Sequence, residues 1–132
     1  MKKYKTICAV ILNAEKELLL IKRAREPFKN SWALVSGVGS IKKGLAPEKA
    51  VKDEVYYDLN ALFDGEFIFS LPIKNDQFTD EILVFKGTVD KADIHLNPKA
   101  AYKFGWFAKK SIENLGSLAF EHNMILDRIE FK

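Results

Sequence analysis

The sequence predicts an α+β fold, a mixed β-sheet layered between helices, in a single domain spanning residues 1–132. Three observations predict it. Short apolar, β-branched runs alternate with polar turns along most of the chain. One stretch beginning at Pro47 repeats its apolar residues at helical spacing, and a second helical stretch closes the chain. With 132 residues, 48% of them apolar and ten of them Phe, the chain can bury one proper core. No internal repeat, low-complexity segment or linker divides it.

Taken in order, Thr6–Leu12 reads as a strand, Asn13–Lys16 as a turn and Glu17–Lys22 as a second strand, which together suggest a hairpin. At least one of the two is apolar enough to be buried on both faces. Arg23–Asn30 is charged, contains Pro27 and reads as a loop. Ser31–Val35 is a short strand, broken by Ser36-Gly37-Val38-Gly39, and Lys42-Lys43-Gly44 is a further turn. Pro47 suits the first turn of a helix, where its missing N–H costs nothing. Val51, Val55, Leu59 and Leu62 then mark the buried face of that helix. Glu66–Pro72 and Glu81–Val89 are strands separated by the polar Lys74–Asp80 turn, and Tyr102–Phe107 is an aromatic strand. Ser111 is placed to cap a helical turn over Ser111–Leu115. A last helix, about Glu121–Ile129, points Met124, Ile125, Leu126 and Ile129 inward.

Composition narrows the function classes. The formal net charge of +3 comes from scattered Lys, Arg, Asp and Glu, far from the basic stripe of a dedicated nucleic-acid binder. It accommodates an anionic small ligand. Cys8 is the one cysteine, so no internal disulfide framework exists, as fits a reducing compartment. Lys2, Lys3 and Lys5 ahead of apolar Ile7–Leu12 superficially resemble an export signal. The apolar run is cut off by Asn13 and Glu15 after about six residues, with no small-residue cleavage pattern. No segment approaches the ~20 apolar residues that span a bilayer. A cytoplasmic protein with no membrane partner is the expectation. A homodimer through a strand edge is compatible with such a sheet.

Candidate chemistry centres on Gly37 through Ala61. Glu54 and Asp58 lie four residues apart and so share a helical face, at the edge of the buried side. Two acids beside a glycine turn suit a hard divalent cation that also holds phosphates. Two solvated helix residues would show the same spacing. Lys22, Arg23 and Arg25 are either phosphate contacts or ordinary surface charges. Phe28, Trp32, Tyr102 and Phe104 are either stacking surfaces or core, and Phe28 is set apart by its polar loop. Asp80 and Glu81 are remote candidates for an extra ligand. His95, His122 and Cys8 form no zinc spacing, and His122 suits a packing or capping role.

These residues resemble the Nudix hydrolase superfamily, the MutT-like fold. The family motif runs Gly, five residues, Glu, seven residues, Arg-Glu-aliphatic, one residue, Glu-Glu, one residue, Gly-aliphatic. Gly39 takes its first glycine, Glu54-Val55 the Glu-aliphatic pair, Asp58 the last acid and Ala61 the closing small apolar place. Gly44 sits where many members have glycine. Trp32-Ala-Leu, Gly105-Trp106-Phe107 and Leu118-Ala-Phe-Glu-His122 followed by Ile125-Leu126 extend the likeness over nearly the whole chain. The departures are Leu45, Asp53, Tyr57 and Asn60, in place of Glu, Arg, Glu and Gly. Lys99-Ala100-Ala101 also lacks an acid that members often carry before the late tryptophan.

The resemblance implies hydrolysis of a pyrophosphate bond in a nucleoside diphosphate derivative (nucleotide, nucleotide sugar or ADP-ribose type) with Mg2+ or Mn2+. It implies Glu54 as metal ligand or general base, Asp58 and the backbone near Gly39 as further ligands, and Arg23, Arg25 and Phe28 against the substrate. The reduced acid cluster implies weaker metal binding than in typical members. An inert Nudix-like domain that binds a nucleotide or a protein partner is the alternative implied by the departures.

Overall fold

The computed structural model describes residues 2–74, 78–91 and 93–131. Its strands are β1 (Lys2–Ile11), β2 (Leu18–Arg23), β3 (Trp32–Ala33), β4 (Val35–Gly37), β5 (Phe63–Lys74), β6 (Phe78–Val89) and β7 (Ala101–Phe107). Its helices are α1 (Gly39–Lys42), α2 (Pro47–Leu59), α3 (Lys109–Ile112) and α4 (His122–Leu126), with 3₁₀ turns at Glu113–Leu115 and Ala119–Glu121. The strands form a mixed sheet in the order β4-β1-β6-β5 and an antiparallel one in the order β3-β2-β7. In the mixed sheet β1 and β6 are parallel over their length, from Lys2 opposite Phe78 to Ile11 opposite Gly87.

Alternation along β1 organises the interior, because successive side chains leave a strand on opposite faces. Ile7, Ala9 and Ile11 join a cluster under α2 with Val51, Val55, Leu59 and Phe85. Cys8, Val10 and Leu12 join a second cluster with Ile112, Leu118, Ile125, Leu126 and Ile129. The central strand is thus buried on both faces, which explains its unbroken apolar run. Burial also pushes the Cys8 thiol well above its ordinary range, so it packs as a small apolar group.

Several boundaries differ from the sequence expectation. β1 and β2 are not a hairpin. They lie in different sheets and are joined by a bridge between Leu12 and Leu18 and by the Asn13 N–H donating to the Glu17 carbonyl, so the Asn13 turn is a corner. The predicted Ser31–Val35 strand is two short strands, with Leu34 as the step from one sheet to the other, and β4 runs through Gly37. α2 stops at Leu59, where Asn60 adopts a left-handed conformation (φ 53°) and its N–H donates to the Tyr56 carbonyl. Leu62 therefore leaves the helical face and is 62% exposed. Ser111 lies within α3, and the cap residue is Ala108, with no side-chain bond. The closing helix is one short turn in which Met124 faces outward while Ile125 and Leu126 are buried; Ile129 is buried too but lies beyond its end. The predicted Lys74–Asp80 turn shrinks because β5 and β6 are longer, and residues 75–77 lie outside the described residues.

The two clusters sit on opposite sides of one sheet, so they should respond independently to cavities. Leu59→Ala and Ile125→Ala should each cost about 2–5 kcal/mol. The double variant should cost their sum to within about 0.5 kcal/mol in urea unfolding. A markedly smaller or larger sum would contradict the two-layer interior.

Candidate active site

The acids that share a face of α2 do not share an environment. Asp58 is 1% exposed, whereas Glu54 is half-buried at the rim of the same face. Both belong to a helix laid against β4, and Glu54 reaches the backbone of that strand. A Cβ on Gly37 would meet the Glu54 carboxylate, which would have to swing aside. Gly37 is in turn held opposite Ile7 of β1.

Glu54 is the neighbour that favours a protonated Asp58 carboxyl able to donate to it, since a bond between two carboxyls needs a proton. Burial first, then Glu54 as bonded partner and neighbouring charge, pushes the Asp58 acid up to about 9. Arg25 and Arg23 oppose that shift through their charge. The Asp58 Oδ1 atom is fully buried and has no hydrogen-bond partner among the described residues. Such an orphan acceptor is costly unless something meets it.

Arg23 is itself buried. Its Nε donates to the Pro27 carbonyl at 2.8 Å, and its guanidinium lies 4.7 Å from the Phe120 ring centre. Burial and the like charge of Arg25 lower its pKa, while Asp58, Glu54 and Glu26 offset that in part. Phe28 is 50% exposed and meets Phe120 edge-on at 4.9 Å. The predicted set Glu54, Asp58, Arg23, Arg25 and Phe28 thus converges on one side of the molecule. Gly39 opens α1, beside the acid-bearing helix, and the Lys42 N–H closes that turn on the Val38 carbonyl at 2.9 Å.

Other candidates fall elsewhere. Lys22 sits 5.4 Å from the Trp32 ring, and Trp32 packs edge-on against Phe107 at 5.1 Å. Phe104 is packed against the α2-side core, and Tyr102 is exposed on β7. Both Asp80 carboxyl oxygens accept from the Thr6 hydroxyl, and Glu81 meets Lys5 at 3.9 Å, so neither acid joins the pair. Asp53, where the motif has arginine, pairs with Lys49 at 2.8 Å along the helix. His95 approaches Asp93 at the surface, while buried His122 accepts the Leu34 N–H on Nδ1 at 3.1 Å. Burial, with Arg23 adding to it, pushes His122 down to about 3, so it is neutral. Sequence reasoning missed Phe120 as a site residue. The Leu118–His122 segment drew notice, but nothing in it signals a ring turned toward Arg23.

Among the described residues no cluster of three or more His, Cys, Asp or Glu is assembled to hold a metal. The donors present fit a single hard cation. Two carboxylates are adjacent, and one carries a buried, unpartnered oxygen.

No protein-family model matches the sequence, and no curated protein does. Solved structures match over nearly the whole chain. The NUDIX domain of Shewanella oneidensis NrtR, complexed with ADP ribose, superposes with a TM-score of 0.82 at 14% identity, covering 97% of this chain and 86% of that one. A MutT NUDIX hydrolase from Burkholderia pseudomallei gives 0.80 at 20% identity, covering 98% and 100%. The MutT protein from Methanosarcina mazei Go1 gives 0.79 at 16%, covering 96% and 92%. The chain has the Nudix fold. On this Nudix fold Leu45 and Tyr57, at the motif's glutamate places, are exposed at 37% and 46%. Identities this low carry the fold and leave the chemistry to the site itself. No helix among the described residues is long and apolar enough to cross a membrane.

The raised pKa of Asp58 has a definite sign for stability. Between its unfolded value near 4 and about 9 the folded chain holds a proton that the unfolded chain releases, so stability falls as pH rises. His122 acts oppositely and only below its ordinary value of 6.5. Urea unfolding in EDTA from pH 7 to 9 should therefore show falling stability in the parent chain and a flatter profile in Asp58→Asn. Parallel profiles would refute the shared-proton geometry.

Proposed function

We propose that this chain is a divergent Nudix-type hydrolase that cleaves a pyrophosphate bond in a nucleoside diphosphate derivative, with Mg2+ or Mn2+ as cofactor. The observation that carries this reading is the unpartnered Asp58 Oδ1 beside Glu54, a buried acceptor suited to a cation. A structurally similar domain holding ADP ribose supports a ligand of the nucleotide type. Glu54, Asp58 and backbone groups around Gly37–Gly39 would hold the ion. When bound, it supplies charge neutralisation at the phosphoryl oxygen and a more acidic water.

The chain's own groups supply the rest. Glu54 accepts the proton of the attacking water and lies close against Gly37, where the absent side chain leaves it room. Arg25, exposed and within electrostatic reach of the pair, meets a substrate phosphate, and Arg23 adds fixed positive charge behind it. Phe28, half-exposed beside Phe120, borders the substrate. The acids' proton has to leave before a cation is held, so metal affinity rises with pH. The lone, buried Cys8 supports a reducing compartment, the cytoplasm.

Nucleoside triphosphates, nucleotide sugars, ADP-ribose and dinucleoside polyphosphates, assayed with Mg2+ and then Mn2+, test the reading. Metal-dependent turnover is expected, with a loss of about 10²–10⁴-fold in Glu54→Gln. Gly37→Ala, which displaces the carboxylate without removing it, should lower turnover while the chain stays folded. Unchanged turnover in Glu54→Gln would sink the assigned mechanism. Leu45 and Tyr57, exposed where the motif has glutamates, favour a second reading as a binding domain. Tight nucleotide binding with no turnover across the panel would select it.

A further inference from the structure

Six non-glycine residues among those described adopt left-handed backbone, and four of them gather in one place: Phe28 (φ 62°), Asn30 (φ 71°), Phe120 (φ 53°) and Glu121 (φ 58°). Side-chain-bearing residues avoid this region, so it persists only where surrounding contacts impose it. Here the contacts are specific. The Asn30 N–H donates to the Arg23 carbonyl at 2.9 Å, and the Ser31 N–H donates to the Phe28 carbonyl at 3.1 Å. On the other segment the Leu118 N–H donates to Asn123 Oδ1 at 2.7 Å, and His122 accepts the Leu34 N–H. Two strained turns, far apart in sequence, are thereby fixed so that their aromatic rings, Phe28 and Phe120, touch.

The order of groups across this cluster is informative. The Arg23 guanidinium covers the Phe120 ring from within, at 4.7 Å. Phe120 meets Phe28 edge-on, at 67° between planes. Phe28 then exposes half its surface from a polar loop. A ring spent on core packing would be buried, and a ring on a free loop would have no fixed orientation. This one is both held and open. We infer that Phe28 is the stacking surface for the base of a nucleoside phosphate, and that Phe120 is a positioning residue that sets its plane. The inference rests on the nucleotide reading above. Arg23 joins the platform to the acid pair, since its charge acts on Glu54 and Asp58.

Binding of AMP and of ribose 5-phosphate to the purified chain, in EDTA, tests it. AMP has no phosphoanhydride bond, so binding is read apart from turnover and a failure of the hydrolase reading leaves this test intact. AMP should bind more tightly than ribose 5-phosphate. Phe28→Leu and Phe120→Leu should each weaken AMP by about tenfold, the scale of one base–aromatic stack, and leave ribose 5-phosphate unchanged. The double variant should lose little more than either alone, and Phe120→Tyr should restore binding. Circular dichroism establishes folding, and if Phe120→Leu does not fold, the exposed-ring pair Phe28→Leu and Phe28→Tyr decides. Equal affinity for the two ligands in the parent chain, or unchanged AMP affinity in either leucine variant, would overturn the inference.

Discussion

Burial of β1 on both faces is the constraint on which the rest of this molecule depends. A strand with water on neither side has to find helices or a second sheet for each face, which fixes α2 on one side and the C-terminal turns on the other. The same strand carries the site indirectly. Ile7 is paired with Gly37, and Gly37 is where the Glu54 carboxylate comes to rest. A one-residue slip of β1 would exchange its two apolar faces and also move the seat of the acid. Packing and chemistry are therefore set by one register.

The acid pair shows how a reduced site is held together. A helix bearing several glutamates carries mutual repulsion that bound cations relieve. Two carboxyls can instead relieve it by sharing a proton, and deep burial of Asp58 favours that arrangement. Leu45 and Tyr57 add no charge, and Asp53 is engaged with Lys49. Arg23 and Arg25 supply the positive charge felt by the pair. Electrostatic balance here comes from outside the helix, from the strand end and loop that precede the glycine turn.

Much of this was legible in the sequence. The apolar run of β1, the helix opened by Pro47 and the four-residue spacing of Glu54 and Asp58 all follow from local periodicity. The depth of Asp58 did not, because spacing places a residue on a face but not at a depth. The corner at Asn13 was also illegible: a turn between two apolar strands looks alike whether they pair or diverge into separate sheets. Leu62 was misplaced because helical periodicity continues past the point where Asn60 ends the helix. Phe120 escaped notice because its role depends on a backbone sign and on contact with Phe28, far away in sequence.

The bond from the Leu34 N–H to His122 has a mechanical meaning. Leu34 sits between β3 and β4, directly before the strand that ends at Gly37, while His122 follows directly on the segment that carries Phe120. Aromatic wall and carboxylate seat are thus bolted to the same piece of backbone by a buried, neutral imidazole. The bond fixes the two stretches of backbone relative to each other. A frame of this kind couples the two segments: any shift of the turn that carries Phe120 has to carry the backbone ahead of Gly37 with it.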